Sequence, residues 1–123
     1  MKIAIRTDAS IDIGIGHVMR CLTLADSLKE KGAEVVFVCR EHKGNSIELI
    51  QNKGYVVHKL PKLKIINPSH NILKKGNIEH MRWLGGAQDE DAILCKEVLL
   101  RKDKLDWMIV DHYAIDETWQ LQL

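Results

Sequence analysis

No run in this chain of 123 residues approaches the ~20 consecutive apolar residues that a membrane-crossing helix needs. Insertion into a bilayer by that route is excluded. The segment Met1 to Asp8 is broken by Lys2, Arg6 and Asp8 and lacks the apolar core of a signal peptide. An excess of one charge is missing too. Lysine plus arginine is 18 and aspartate plus glutamate 17, so no global field draws the chain to nucleic acid or to a membrane surface. Cysteine is sparse: Cys21, Cys39 and Cys95 are odd in number and widely spaced, as expected of reduced thiols in a cytoplasmic protein. Cys39 and His42 have Cys-x-x-His spacing, but no second pair completes a zinc site, and Cys39 reads as a small core residue at a strand end. There is no internal repeat and no low-complexity tract.

What is present is an alternation of strand and helix patterns in a length that suits one domain. Lys2 to Arg6 alternates apolar residues as a first strand. Val18, Cys21, Leu22, Leu24, Ala25 and Leu28 recur at helical spacing, and Gly32 stands just past that helix. Glu34 to Cys39 is a continuous apolar run, as in a buried parallel strand. Asn45 or Ser46 caps a second helix ended by Gly54, and Tyr55 to Lys59 forms a third strand. Residues 60–87 carry little periodicity, with five lysines and no acid between Lys59 and Ile78. They form either a solvated loop or a contact for an anionic ligand. Gln88 to Leu100 is a third helix whose first turn holds Asp89, Glu90 and Asp91, where the helix dipole favours negative charge. Asp106 to Val110 is a fourth strand, and Asp116 or Thr118 begins a last helix. Trp83 and Trp107 are expected to be core or loop anchors.

The pattern predicts an α/β, Rossmann-like open parallel sheet with flanking helices. If the first three units run outward from strand one, strand four returns to its other side, giving the order 3-2-1-4. Open parallel sheets bind ligands where the winding reverses, outside the carboxyl ends of the strands. Two segments meet there: Thr7 to His17, containing Gly14-Ile15-Gly16-His17, and Asp111-His112-Tyr113. A glycine turn opening a helix aims backbone N–H groups and a dipole at a small volume, and His17 adds a titratable base beside it. The dipole disfavours an imidazolium at His17, whereas Asp8 or Asp111 nearby favours one. Arg20, one turn on, is placed either to reach a phosphate or to form a surface ion pair.

Other chemistries fit less well. The dinucleotide fingerprint wants a third glycine where Met19 stands, and an acid ending the second strand, which instead finishes Cys39-Arg40-Glu41. A phospho-acceptor domain wants an acidic pair after strand one, where only Asp8 is found. Asp89-Glu90-Asp91 imitates a metal-binding Asp-x-Asp, but its place in a helical first turn accounts for it without a metal.

The run Ile5-Arg6-Thr7-Asp8-Ala9-Ser10, followed by Gly14-Ile-Gly-His-Val-Met-Arg-Cys21, strongly resembles the nucleotide-sugar hydrolases of pseudaminic acid biosynthesis and the related spore-coat polysaccharide biosynthesis proteins. Trp83-Leu84-Gly85, Asp91-Ala92 and Val110-Asp111-His112-Tyr113 resemble later motifs of that family. The resemblance implies the N-terminal half of a two-domain glycosyltransferase fold of the GT-B type. It also implies metal-independent, cofactor-free hydrolysis of a UDP-linked diacetamido-trideoxy sugar with inversion, His17 being the general base. Gly14 and Gly16 would lie against the sugar diphosphate, with Asp8, Arg20, Asp111, His112 and Tyr113 in substrate-binding and supporting roles. A diphosphate leaves without protonation, so one base can suffice where ordinary glycosidases need two carboxylates. The uridine nucleotide would be held mainly by a C-terminal domain absent from this chain, and residues 1–123 alone are expected to turn over poorly. The alternative is an inverting glycosyltransferase of the same fold, in which an alcohol takes the place of water.

Overall fold

Strand β1 (Lys2–Thr7) sends Ile3 and Ile5 to one face of the sheet and Ala4 and Arg6 to the other, as its alternation requires. In the computed structural model, which describes residues 1–10, 13–61, 88–100, 105–112, 115 and 117–120, this strand is central. β2 (Glu34–Arg40) is apolar on both faces: Val35, Phe37 and Cys39 point one way, Val36 and Val38 the other. With β3 (Val56–Leu60) and β4 (Trp107–Asp111) it completes an all-parallel sheet in the order β3-β2-β1-β4. The predicted order and the α/β Rossmann-like fold are observed. Ile5 pairs with Phe37 on one side, and Thr7 with Asp111 on the other.

Helices cover both faces. α1 (Gly16–Glu30) buries Val18, Cys21, Leu22 and Ala25, and α2 (Ile47–Asn52) buries Ile47 and Ile50 on the same side. On the opposite side α3 (Gln88–Leu100) contributes Ala92, Cys95 and Leu99, joined by Trp119 of α4 (Glu117–Gln120). Gly32 ends α1 at φ +89°, a left-handed conformation that other residues adopt at a cost, and its N–H donates to the Lys29 carbonyl. Of the two expected caps for α2, Asn45 makes the bond: its Oδ1 accepts the Ile47 N–H at 3.1 Å, while Ser46 caps nothing with its side chain. Tyr55 lies just before β3, where its ring meets Phe37 edge-on at 5.4 Å. All three cysteines are reduced and buried. Burial pushes the Cys39 thiol well up and the Cys95 thiol to about 12.

One expectation is corrected and one extended. Trp107 is no anchor: it opens the edge strand β4 and is 62% exposed. Trp83 and the rest of residues 62–87 lie outside the described residues. Asp91 stands in the first turn of α3 as expected, but it does more than meet the dipole there. It is fully buried against the sheet, where it accepts Arg6 Nε at 3.0 Å and Nη2 at 2.8 Å, a bond from Arg40 Nη2, and Trp119 Nε1–H at 2.8 Å.

Arg6 is therefore gripped twice, because its other edge meets Asp8 at 2.6 and 3.0 Å. Asp8 also accepts the Arg40 backbone N–H at 2.7 Å, and approaches His112 Nε2 at 2.9 Å and His42 Nε2 at 3.3 Å. The two arginines balance the two aspartates, so the cluster is neutral when both histidines are. Burial holds the His112 imidazole below its ordinary 6.5, more strongly than Asp8 lifts it. The unfolded chain thus takes up a proton that the folded chain refuses as pH falls through about 6.5. Stability should rise with pH across that range. A second loss should follow near pH 4 and below, because burial of Asp8 and Asp91 is outweighed by their bonds to Arg6, leaving both carboxyls below their usual range. Thermal melts at pH 7.5, 5.5 and 4 should fall in that order; a flat profile from 7.5 to 5.5 would remove His112 from the account.

Candidate active site

β1 ends at the switch point and the chain turns there at once. Ser10 accepts the Gly14 N–H on its carbonyl at 2.9 Å and the Ile13 N–H on its Oγ at 3.0 Å, which holds Gly14 close to the end of β1. Gly14 sits at φ +81°, where a Cβ costs roughly 1–2 kcal/mol. Gly16 is different. Its φ is not positive, and a Cβ built on it meets no atom within 4 Å. The fold therefore explains Gly14 and leaves Gly16 to be explained by what approaches it. Gly14→Ala should lower stability by about 1–2 kcal/mol, whereas Gly16→Ala should leave the melting curve unchanged while weakening binding of a phosphate-bearing ligand. Equal melting losses in both variants would refute that division.

α1 starts at Gly16 behind Ile15, which offers no side-chain cap, and its first turn holds no acid. The Met19 N–H is the first to bond back along the helix, to the Ile15 carbonyl at 3.0 Å. The amides ahead of it form the positive end of the dipole. His17, Arg20 and Cys21 follow at i, i+3 and i+4, which puts them on one side of α1. All three converge on Asp111 at the end of β4.

His17 Nδ1 stands 2.7 Å from Asp111 Oδ1. Arg20 grips the same carboxylate with both prongs, Nε to Oδ2 at 2.8 Å and Nη2 to Oδ1 at 2.6 Å, and the Cys21 thiol lies 3.5 Å from Oδ2. Burial works to raise the Asp111 carboxyl, but hydrogen bonds and charge from Arg20 and His17 outweigh it and bring it down to about 2. Burial and the charge of Asp111 push the Cys21 thiol up to about 11. Asp111 is thus an anion that only accepts, so His17 Nδ1 carries the proton and Nε2 is the basic nitrogen. The 3.3 Å approach of Arg20 Nη2 to His17 Nδ1 joins two donors and is proximity rather than a bond.

The structure brings Gly14, Gly16, His17, Arg20 and Asp111 to one corner. Between the acids expected beside His17, it selects Asp111. Asp8 and His112 are neighbours of that corner but face the buried arginine cluster. Arg20 forms the ion pair, with its side chain 65% exposed. Tyr113 lies outside the described residues. Among the described residues no group of histidine, cysteine, aspartate or glutamate could hold a metal ion, and no helix is long and apolar enough to cross a membrane. Sequence reading missed Cys21, although the i, i+3, i+4 spacing from His17 signals it. It also missed Arg6, Arg40 and Asp91 as a unit, for which no local signal exists.

No protein-family model matches the chain. It is 32% identical over 107 residues to an uncharacterized glycosyltransferase of Methanosarcina acetivorans, an alignment covering 83% of this chain and 26% of that protein. It is 34% identical over 86 residues to an uncharacterized protein of Methanocaldococcus jannaschii, covering 64% of this chain and 18% of the relative. The chain thus spans about a quarter or less of the curated relatives it matches, and its similarity is to proteins among which one is named a glycosyltransferase.

Proposed function

We propose that this chain carries the catalytic corner of an inverting glycosyltransferase-like enzyme acting on a sugar nucleotide, with His17 as general base. The observation that supports it most is the His17–Asp111 pair beside a glycine turn at the sheet's switch point. In this reading His17 Nε2 takes the proton of an acceptor hydroxyl while its oxygen attacks the anomeric carbon from the face opposite the leaving group. The bond from that carbon to the diphosphate oxygen breaks, and the diphosphate departs with the electron pair. Asp111 stabilises the imidazolium that forms, as the third member of a triad does. The amides opening α1 offset the charge gathering on the diphosphate.

The relative named a glycosyltransferase supports a sugar or other alcohol as acceptor. The resemblance of Ile5 to Ser10 and Gly14 to Cys21 to the pseudaminic acid hydrolases supports water in its place, with a UDP-linked diacetamido-trideoxy sugar as donor. Both acceptors need the base at the same atom.

The test is an amide chemical-shift titration of the chain with UDP and with UDP-N-acetylhexosamine. Shifts at Gly14 and Gly16 are expected with both ligands, and shifts at His17 and Asp111 with the sugar nucleotide and not with UDP. Their absence at millimolar ligand in a folded sample would count against sugar-side binding by this corner. Release of UDP with and without added alcohols then separates transfer from hydrolysis.

A further inference from the structure

The last backbone rung between β1 and β4 joins Thr7 to Asp111. One residue further along each strand stand Asp8 and His112, and their side chains continue the pairing: His112 Nε2–H donates to Asp8 Oδ2 at 2.9 Å. Asp8 is a fixed point. Its side chain is fully buried and held by Arg6 at 2.6 and 3.0 Å and by the Arg40 backbone N–H at 2.7 Å, so β1 and β2 both anchor it. The His112 side chain is 2% exposed. Its carbonyl accepts the Ile115 N–H at 3.2 Å, so Ile115 is tied to the same residue.

Asp111 and His112 share a peptide bond, yet their side chains work on opposite sides of it. Asp111 meets His17, Arg20 and Cys21 of α1, while His112 meets the buried cluster. A carboxylate at the very end of a strand is only as well placed as that strand end. We propose that the Asp8–His112 bond is a positioning clasp that fixes the end of β4, and so the alignment of Asp111 with His17. His112 is then a positioning residue, acting through its neighbour. This deepens the reading of His17 as the base and rests on it.

The experiment follows the His17 ring nitrogens by NMR in the labelled chain, comparing the wild type with His112→Phe, His112→Leu, His112→Gln and Asp111→Asn. Phe keeps the bulk of the ring and removes the donor, whereas Gln keeps an N–H for Asp8. Among the described residues, Asp111 and Arg20 lie against the observed ring, while Asp8 bonds His112 and the charges of Arg6 and Asp91 act on it. In His112→Phe and His112→Leu the His17 titration midpoint and Nδ1 shift should move most of the way to the values of Asp111→Asn. His112→Gln should stay with the wild type.

Wild-type values in a folded His112→Phe or His112→Leu overturn the proposal. So does a His112→Gln that moves as far as they do, since lost packing and not the lost bond would then be the cause. Failure of both apolar variants to fold would make the bond a requirement of the fold and overturn the positioning role. The ring signals report alignment whether or not the chain turns over a sugar nucleotide. Inactivity with coupled rings therefore sinks the enzymatic reading alone, and activity with uncoupled rings sinks the clasp alone.

Discussion

Asp111→Asn is expected to leave the fold intact and to lower turnover of the sugar nucleotide by about 10⁴-fold, the scale seen when a catalytic histidine loses its orienting carboxylate. An amide cannot satisfy this site. Oδ1 serves His17 Nδ1 and Arg20 Nη2, and Oδ2 serves Arg20 Nε and the Cys21 thiol, all of them donors. If the Asn oxygen takes the first place, its NH2 faces Arg20 Nε–H. If it takes the second, the NH2 faces His17 and selects the tautomer with Nδ1 bare and Nε2 protonated, which removes the base. Either way the imidazolium loses its counter-charge. Assayed as UDP release in a polypeptide that also binds the nucleotide, a variant within tenfold of wild type would remove Asp111 from the chemistry.

Asp91→Ala should have the largest effect on stability, a loss of about 3–5 kcal/mol, because it strips one partner from a buried ion-pair cluster. Arg6 keeps Asp8. Among the described residues Arg40 has no such second acid: its guanidinium bonds Asp91 and, at 2.5 Å, the Pro61 carbonyl, and Trp119 Nε1–H would lose its acceptor as well. A domain of this size is held by roughly 5–15 kcal/mol in all, so the variant should melt near or below room temperature. Urea unfolding followed by circular dichroism measures it. A loss under about 1 kcal/mol would mean that water reaches the arginines and that the pair acts like a surface salt bridge.

The site was more legible in the sequence than the cluster beneath it, and the reason is range. Alternating periodicities give the strands, and the order that follows if the first three units run outward brings Gly14 to His17 and Asp111 to one corner. Topology thus brought the end of β4 to His17, but Asp8 and Asp111 stayed equal candidates for its partner until the side chains were placed. The role of Arg20 stayed open because one helical position serves a phosphate or a carboxylate equally well until the facing strand end is placed. Arg6 and Asp91 are 85 residues apart, and nothing local in either announces the other. Arg6 occupies an inward position of a strand, and Asp91 a helical first turn where the dipole already accounts for it. A cheaper local explanation hid the pairing in each case. Trp107 failed for the opposite reason: its bulk suggests burial, but the first residue of an edge strand has little to bury against.

The three thiols lie in three different layers of the fold: Cys21 on α1, Cys39 on β2 and Cys95 on the far-side helix α3. Each is buried with its proton held tightly, so the thiolate that an alkylating reagent needs is scarce in the native state. Labelling must therefore wait for a local opening, and its rate at each cysteine becomes a clock for one layer. The chain carries its own reporters for asking which face of the sheet comes apart first. Slower labelling of Cys39 than of Cys21 and Cys95 would show the helices lifting from a sheet that stays whole.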